Sequence, residues 1–462
     1  MKLGISSKKL GIRNEELGKP ESKKVFLSLL TPHSSFLISL LIILSSPLQA
    51  QEYQTPFLQP AQAALQPLLE TAPAIVSRAA VLIDAATGTL LYAKNANEEI
   101  SPASLTKLMT IHLVLNEVTS GKISLDDDVP LSRESWAINQ PPRSSLMFLG
   151  PGQNATLQEI LLGLAVSSGN DAAVAAALAC APTVADFVLM MNSEARRLGL
   201  YRTSFVEPSG ISEFNMTTAG EFTAFCRFYL TMHPQALAEY HSVMEFSYPK
   251  AANVAAAFRD NPQTITQYNR NTLLRIIPGL DGLKTGYIDE AGYNIALTAE
   301  RNGSRFIAVI LGAPAHPGGD RIRDIDGQKL LSWAFDNFKT VRPIIDHIEP
   351  AQLWKGQEKT VRLKMAHYDP LNSESAIFTA PIDRAKTLWV SRVITDPLIA
   401  PLPENYPVGS LIISDELGEL HRIELLSDGN YEKGNIFKRI WDSIRLLFYK
   451  PRPASVETGT TE

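Results

Sequence analysis

Three short polar strings stand far apart in this chain: Ser104-Leu105-Thr106-Lys107, Ser168-Gly169-Asn170 and Lys284-Thr285-Gly286. Together they carry a nucleophile with an amine beside it, a second hydroxyl, an amide and a second cation. Those are the parts for acyl transfer without a histidine or a metal. A fold that uses them must bring a helix start, a break between apolar segments and a strand start to one place. A further match to the first string, Ser6-Ser7-Lys8-Lys9, lies at the extreme N-terminus with no such context.

A serine three residues before a lysine on a helix shares a face with it, within hydrogen-bond reach. A serine at a helix start also has backbone N–H groups nearby for an oxyanion. A lysine at its free pKa of about 10.4 is a poor base at neutral pH, and becomes one when desolvated near another cation. Leu105, Leu108 and Met109 supply the dry setting, and Lys284 is a candidate for the second charge. Read singly, Ser104 could equally cap a helix, with Lys107 on a solvated face. Ser168-Gly169-Asn170 falls between the apolar runs Leu161 to Val166 and Ala172 to Ala179, where buried polar groups need partners. Lys284-Thr285-Gly286, as the start of an edge strand, offers an ammonium and a hydroxyl to a carboxylate, and Gly286 permits close backbone approach.

The 462 residues imply two or three domains, and a net charge of −5 leaves no nucleic-acid footprint. Ala79 to Asp84, a turn at Ala85-Ala86-Thr87-Gly88 and Thr89 to Ala93 read as strand, turn, strand. Leu105 to Val118, Leu157 to Ala181 (interrupted at Ser167-Ser168-Gly169) and Ala185 to Leu198 read as helices. Tyr293 to Thr298 and Arg305 to Leu311, joined at Arg301-Asn302-Gly303, form a hairpin, and Ile322 to Phe338 is a closing helix. The pattern predicts an α/β sandwich with an antiparallel sheet and a helical middle over 75–339. Beyond it, 340–434 reads as a small all-β domain, with strand candidates at Val361 to Met365, Leu388 to Ile394 and Leu411 to Ile413 and a turn at Asp415-Glu416-Leu417-Gly418.

The termini read differently. Residues 1–50 run from a lysine-rich start through the apolar Phe36 to Leu44 to small residues, the order of a secretory signal, with an uncleaved anchor as the alternative. Residues 51–74 form a leader. In 435–450, Ile436, Phe437, Ile440, Trp441, Ile444, Leu447 and Phe448 make one apolar face. Lys438, Arg439, Asp442, Ser443 and Arg445 lie on the other. At about 1.5 Å per residue this helix is too short to cross a bilayer, and it fits an in-plane membrane anchor with its basic residues toward anionic lipid. The alternative is a helix packed on its own β domain. A polar tail, 451–462, follows. Cys180 and Cys226 sit in apolar helical contexts and read as buried free thiols, and none of the eight histidines forms a ligand-spaced pair. Neither a metal nor a cofactor is expected.

The strings extend into longer text: Pro102-Ala103-Ser104-Leu105-Thr106-Lys107, Ser144-Ser145-Leu146-Met147-Phe148-Leu149, Ser168-Gly169-Asn170-Asp171-Ala172, Asn269-Arg270-Asn271, Asp281-Gly282-Leu283-Lys284-Thr285-Gly286 and Ala291-Gly292-Tyr293-Asn294. From about Ile75 to Lys450 the chain resembles the low-molecular-mass penicillin-binding proteins, specifically the membrane-anchored D-alanyl-D-alanine carboxypeptidases. The resemblance implies a penicilloyl-serine transferase (β-lactamase-like) fold. It implies a penicillin-sensitive enzyme on the periplasmic face of a bacterial inner membrane that removes the terminal D-alanine from peptidoglycan stem pentapeptides. Ser104 would attack, Lys107 would take its proton, Ser168 would relay a proton to the leaving D-alanine, and Asn170 would hold Lys107 and the substrate amide. The N–H groups of Ser104 and Tyr287 would form the oxyanion hole; Lys284, Thr285 and Arg270 would hold the terminal carboxylate beside Gly286. Tyr287 departs from relatives with histidine there, and a second substrate arginine could be Arg321 or Arg323. A class A β-lactamase would need a separate glutamate for the deacylating water, and no convincing Glu-x-x-Leu-Asn string is present. A transpeptidase and a non-catalytic wall-binding scaffold are the other readings.

Overall fold

The computed structural model describes residues 55–450, apart from 346, 368, 373 and 375, together with the backbone of 455–457. The signal-like segment 1–50 and most of the polar tail lie outside the described residues. The central sheet is antiparallel, built from β1 (Ala79–Asp84), β2 (Leu90–Lys94), β3 (Leu280–Ile288), β4 (Gly292–Arg301) and β5 (Ser304–Ala313) in the order β2-β1-β5-β4-β3. Every residue of β1 is buried. Strand period explains why: Ala79, Val81 and Ile83 enter one apolar core, whereas Ala80 and Leu82 enter another on the opposite face. In β5, Ile307, Val309 and Leu311 alternate in the same way with Phe306, Ala308 and Ile310.

The first core holds the helical layer: α1 (Lys107–Thr119), α2 (Leu157–Leu162), α3 (Asn170–Cys180), α4 (Val184–Arg197) and α5 (Ala219–Met232). The second is closed by α6 (Gly319–Asn337) through Leu330, Leu331 and Ala334. This is the expected α/β sandwich. Helix α5 was read in the sequence only as a helical context around Cys226, without bounds, because nearly all of it is buried and no polar face marks its period. The hairpin Glu245–Tyr248 with Ile265–Tyr268 also escaped that reading. Helix α6 starts earlier than expected, at a turn where Gly318 has φ +91°. Cys226 is buried as expected, but Cys180 is only half-buried, because it ends α3; both thiols are free.

After Phe338 the chain is rich in strands. β6 (Leu363–Met365), β7 (Trp389–Ile394), β8 (Pro407–Asp415), β9 (Gly418–Ser427) and β10 (Ser455–Glu457) form a sheet in the order β6-β9-β8-β7-β10 over its own apolar core. Polar ties fix it to the sandwich. Buried Asp84 accepts from Thr340 Oγ1 at 2.7 Å and Thr379 Oγ1 at 2.9 Å, and buried Arg227 pairs with Asp369 while donating to the carbonyls of Phe57, Ala85 and Ala86.

The last helix, α7 (Ile436–Leu446), is capped by Asn435, whose side chain accepts from Lys438 N at 2.9 Å. Its polar side faces the protein: Asp442, 5% exposed, accepts from Lys355 N at 2.8 Å, and Lys438 Nζ donates to the Gly356 carbonyl. Its apolar residues face out, with Phe437 80% and Trp441 62% exposed. The expectation that the basic residues point to lipid is corrected for Lys438, which is consumed by its own domain. Among the described residues no single helix is long and apolar enough to cross a membrane.

Candidate active site

A tight turn over Ala103–Thr106 runs into α1, placing Ser104 and Lys107 one turn apart. Ser104 is half-buried and Lys107 fully buried, which removes the reading of Lys107 as a solvated surface residue. Lys107 Nζ reaches Ser104 Oγ at 3.2 Å, Asn170 Oδ1 at 2.8 Å and the Ser209 carbonyl at 2.5 Å. Burial pulls its pKa down to about 7; Glu207 and Asp171 oppose that shift and Arg270 adds to it. Desolvation thus activates the amine; Arg270 contributes a positive charge, and Lys284, the cation expected from the sequence, is coupled to Lys107 as well.

Ser168 and Asn170 come from the break between α2 and α3. A wide helical turn over Gly163–Ser167 ends at Ser168, which has φ 58° and ψ 35°, a left-handed conformation costing about 1–2 kcal/mol in a non-glycine residue. Ser168 is only 2% exposed, so the packing around it holds this conformation at the break. Asn170 then opens α3, its Nδ2 donating to Ser144 Oγ at 3.1 Å. Sequence reading assigned no role to Asp171. Buried, it accepts from the amides of Met147 (2.8 Å), Phe148 (2.8 Å) and Leu149 (3.0 Å), and so holds the Ser144 segment against Asn170. Burial raises its carboxyl pKa, and those amides counter the rise.

Strand β3 is the sheet edge and brings Lys284, Thr285, Gly286 and Tyr287 past the nucleophile. A Cβ on Gly286 would lie 2.8 Å from the Pro102 carbonyl oxygen and 3.0 Å from Ser104 N, so only glycine lets the strand come this near. Lys284 is buried and donates to the Thr285 carbonyl at 3.0 Å; burial lowers its pKa, with Lys107, Arg270 and Arg323 adding to the effect. Arg270 is exposed and donates from Nε to the Ser167 carbonyl at 3.2 Å. Of the two further arginines, Arg321 is exposed, whereas Arg323 is buried, paired with Asp324 at 2.6 Å, and the one whose charge bears on Lys284. Tyr287 donates to Asp289 Oδ1 at 2.5 Å, and that bond raises its phenol to about 12, so it does not titrate where a histidine would. His241, bonded to Tyr229 Oη at 2.7 Å, is pushed down to about 3 by burial and by Lys284, and stays neutral. All three strings therefore meet at one cleft between the sheet edge and the helical layer.

Comparison with known proteins agrees with this geometry. Residues 66–315 match the Peptidase_S11 family model, described as D-alanyl-D-alanine carboxypeptidase. The chain is 33% identical over 386 residues to D-alanyl-D-alanine carboxypeptidase DacC of Escherichia coli, covering 82% of this chain and 90% of that protein. Among solved structures it is similar to penicillin binding protein 5 of Haemophilus influenzae (TM-score 0.66, 28% identity, 78% of this chain and 99% of that one). It is also similar to penicillin binding protein 6B of Escherichia coli (TM-score 0.59, 29% identity, 76% and 95%). A cleft that joins a desolvated lysine to a helix-borne serine, in a chain matched over this extent, belongs to the Peptidase_S11 family of D-alanyl-D-alanine carboxypeptidases.

Proposed function

We propose that this D-alanyl-D-alanine carboxypeptidase works through an acyl-enzyme on Ser104, removing the terminal D-alanine of peptidoglycan stem pentapeptides. The observation that carries the reading is the fully buried Lys107, its pKa near 7, within 3.2 Å of Ser104 Oγ. Lys107 Nζ takes the Ser104 proton as Oγ bonds to the penultimate D-alanine carbonyl, while the N–H groups of Ser104 and Tyr287 receive the oxyanion. Collapse breaks the amide bond, and the proton held by Lys107 passes through Ser168 to the departing amine, which leaves Lys107 neutral again. Water, deprotonated by Lys107, then cleaves the ester and returns the proton to Ser104. Asn170 orients Lys107 and the substrate amide; Lys284, Thr285 and Arg270 receive the terminal carboxylate beside Gly286. A penicillin acylates the same serine by ring opening and, having no fragment to expel, blocks the site.

The test is incubation with a labelled penicillin followed by peptide mapping. One adduct on Ser104, with loss of D-alanine release from a pentapeptide ending D-Ala-D-Ala, is the expected result. An adduct on another side chain overturns the assignment, and rapid release of hydrolysed drug favours a β-lactamase.

Residues 75–339 form the catalytic domain in this reading, with 340–434 as a β-rich domain. A Streptomyces DD-transpeptidase structure, matched over 99% of its length, covers only 57% of this chain, which supports that division. The enzyme is exported by its N-terminal segment and held peripherally on the periplasmic face of the inner membrane by α7. Support comes from the inverted polarity of α7, whose polar side is consumed by the protein while Phe437 and Trp441, with Phe448 just beyond the helix, are exposed. Deleting 435–462 is expected to move the protein from the membrane to the soluble fraction while D-alanine release persists. Unchanged fractionation assigns the anchor to the N-terminal segment instead.

A further inference from the structure

A neutral amine has two N–H hydrogens and one lone pair. At Lys107, Asn170 Oδ1 (2.8 Å) and the Ser209 carbonyl (2.5 Å) are both acceptors and take the two hydrogens. The third neighbour, Ser104 Oγ at 3.2 Å, therefore meets the lone pair. The direction of the base thus depends on where a backbone carbonyl sits, and that carbonyl belongs to the loop 207–215.

We propose that Glu207 is a positioning residue for the Lys107 base: its carboxylate assembles this loop, so that the Ser209 carbonyl turns the lysine lone pair toward Ser104. The inference rests on the reading of Lys107 as the base. Glu207 accepts from Ser209 N and Ser209 Oγ, both at 2.6 Å, from Gly210 N at 2.6 Å, from Ser212 N at 3.3 Å and from Asn215 Nδ2 at 2.9 Å. Asn215 is fully buried and donates also to Thr106 Oγ1 at 3.1 Å, while Thr110 Oγ1 donates to the Pro208 carbonyl at 2.7 Å. The loop is therefore clamped to the base-bearing segment at Thr106, Lys107 and Thr110. Gly210, at φ +79°, completes the fit: a Cβ there would lie 1.9 Å from the Ala103 carbonyl oxygen.

Glu207 also acts by charge. The charged groups bearing on Lys107 are Glu207 and Asp171, which favour the ammonium, and Arg270, which disfavours it; Lys284 is coupled to the same amine from β3. Removing the Glu207 charge makes Lys107 lose its proton more readily, so the acid limb of the rate profile moves to lower pH. A residue with a purely structural role would lower the rate and leave that limb in place.

The experiment measures acylation by a fluorescent penicillin, and D-alanine release, from pH 5 to 9 for the full chain, Glu207→Gln and Glu207→Asp. Glu207→Gln is expected to lower the acylation rate about 10- to 100-fold at pH 8, as expected when the reacting groups lose alignment. Its acid-limb midpoint is expected about 0.5 unit lower, since an opposite charge has been removed. Glu207→Asp keeps the charge with a shorter reach; it should recover part of the rate and hold the parent midpoint. A Gln variant with the parent's rate, or with a reduced rate and an unmoved midpoint, overturns the proposal. If Glu207→Gln does not fold, Glu207→Asp decides: a parent-like acylation rate, or a slower rate accompanied by a matching loss of melting temperature, overturns it, and a lower kcat with parent-like KM and melting temperature supports it. Failure of the parent itself to be labelled at Ser104 overturns the acyl-enzyme reading as well, which separates the two failures.

Discussion

Lys107→Met is expected to yield an inactive protein that is more stable than its parent at pH 7. Without the amine, nothing takes the Ser104 proton, and loss of a general base costs about 10²- to 10⁴-fold in rate. Acylation by penicillin and release of D-alanine should fall together, because both begin with the same proton transfer. The stability change has the opposite sign. In the unfolded chain this lysine titrates at about 10.4, whereas burial brings it to about 7 in the fold. Between those values the unfolded state binds more protons, so unfolding free energy rises with pH across that window and the buried lysine is most costly at its lower end. For a fully buried group the difference amounts to about 4 kcal/mol at pH 7, less whatever the hydrogen bonds to Asn170 and Ser209 return. Methionine fills the same dry space without that cost. Melting curves from pH 6 to 10 should show Lys107→Met well above the parent near pH 7 and the two converging as pH rises. A difference independent of pH would mean that Lys107 is not held neutral by the fold, and the mechanism would lose its base. The parent's kcat/KM should rise with pH through about 7 for the same reason.

In the proposed mechanism Ser104, Lys107, Ser168, Asn170 and Lys284 act through side chains, and it is side-chain type and spacing that a sequence displays. Strands β1 and β5 were legible for a related reason: their unbroken apolar runs, bounded by turn residues, suit a sheet with a core on each face. The parts that stayed hidden act through the backbone. Any residue can supply the carbonyl at 209, and any but proline can supply the amides of 147–149 that bind Asp171, so neither leaves a mark on composition or period. Glu207 lies 103 residues from Ser104 in a loop without repeat or alternation, and only the fold brings it to the base. Helix α7 was legible in its two faces and its outward apolar side, whereas the turning of Lys438 toward the protein depends on the Gly356 carbonyl of a distant segment, beside the Lys355 N–H that binds Asp442.

Gly286→Ala is the sharpest steric test of the cleft, with an expected loss of about 10²-fold in acylation, the cost of moving reacting groups by about 1 Å. A Cβ at 286 would meet the Pro102 carbonyl oxygen at 2.8 Å, Ser104 N at 3.0 Å and Ala103 Cβ at 3.2 Å. None of these can yield easily, since two are backbone atoms of the turn that carries the nucleophile, and Ala103 already sits at φ 49°. The strand must therefore move away, taking the Tyr287 amide and Lys284 out of line with Ser104. The fold itself should tolerate the change. β3 is an edge strand, its pairing of Gly286 with Asn294 of β4 lies on the other side, and small outward shifts of an edge leave that ladder intact. The expected signature is a large fall in acylation rate and kcat with a melting temperature within a few degrees of the parent. Lys107 should keep its acid limb, because the alanine touches neither Asn170 nor Ser209. A variant that acylates at the parent's rate would mean that the edge strand does not form the far wall of the oxyanion site, and the Tyr287 amide would then have no part in the reaction.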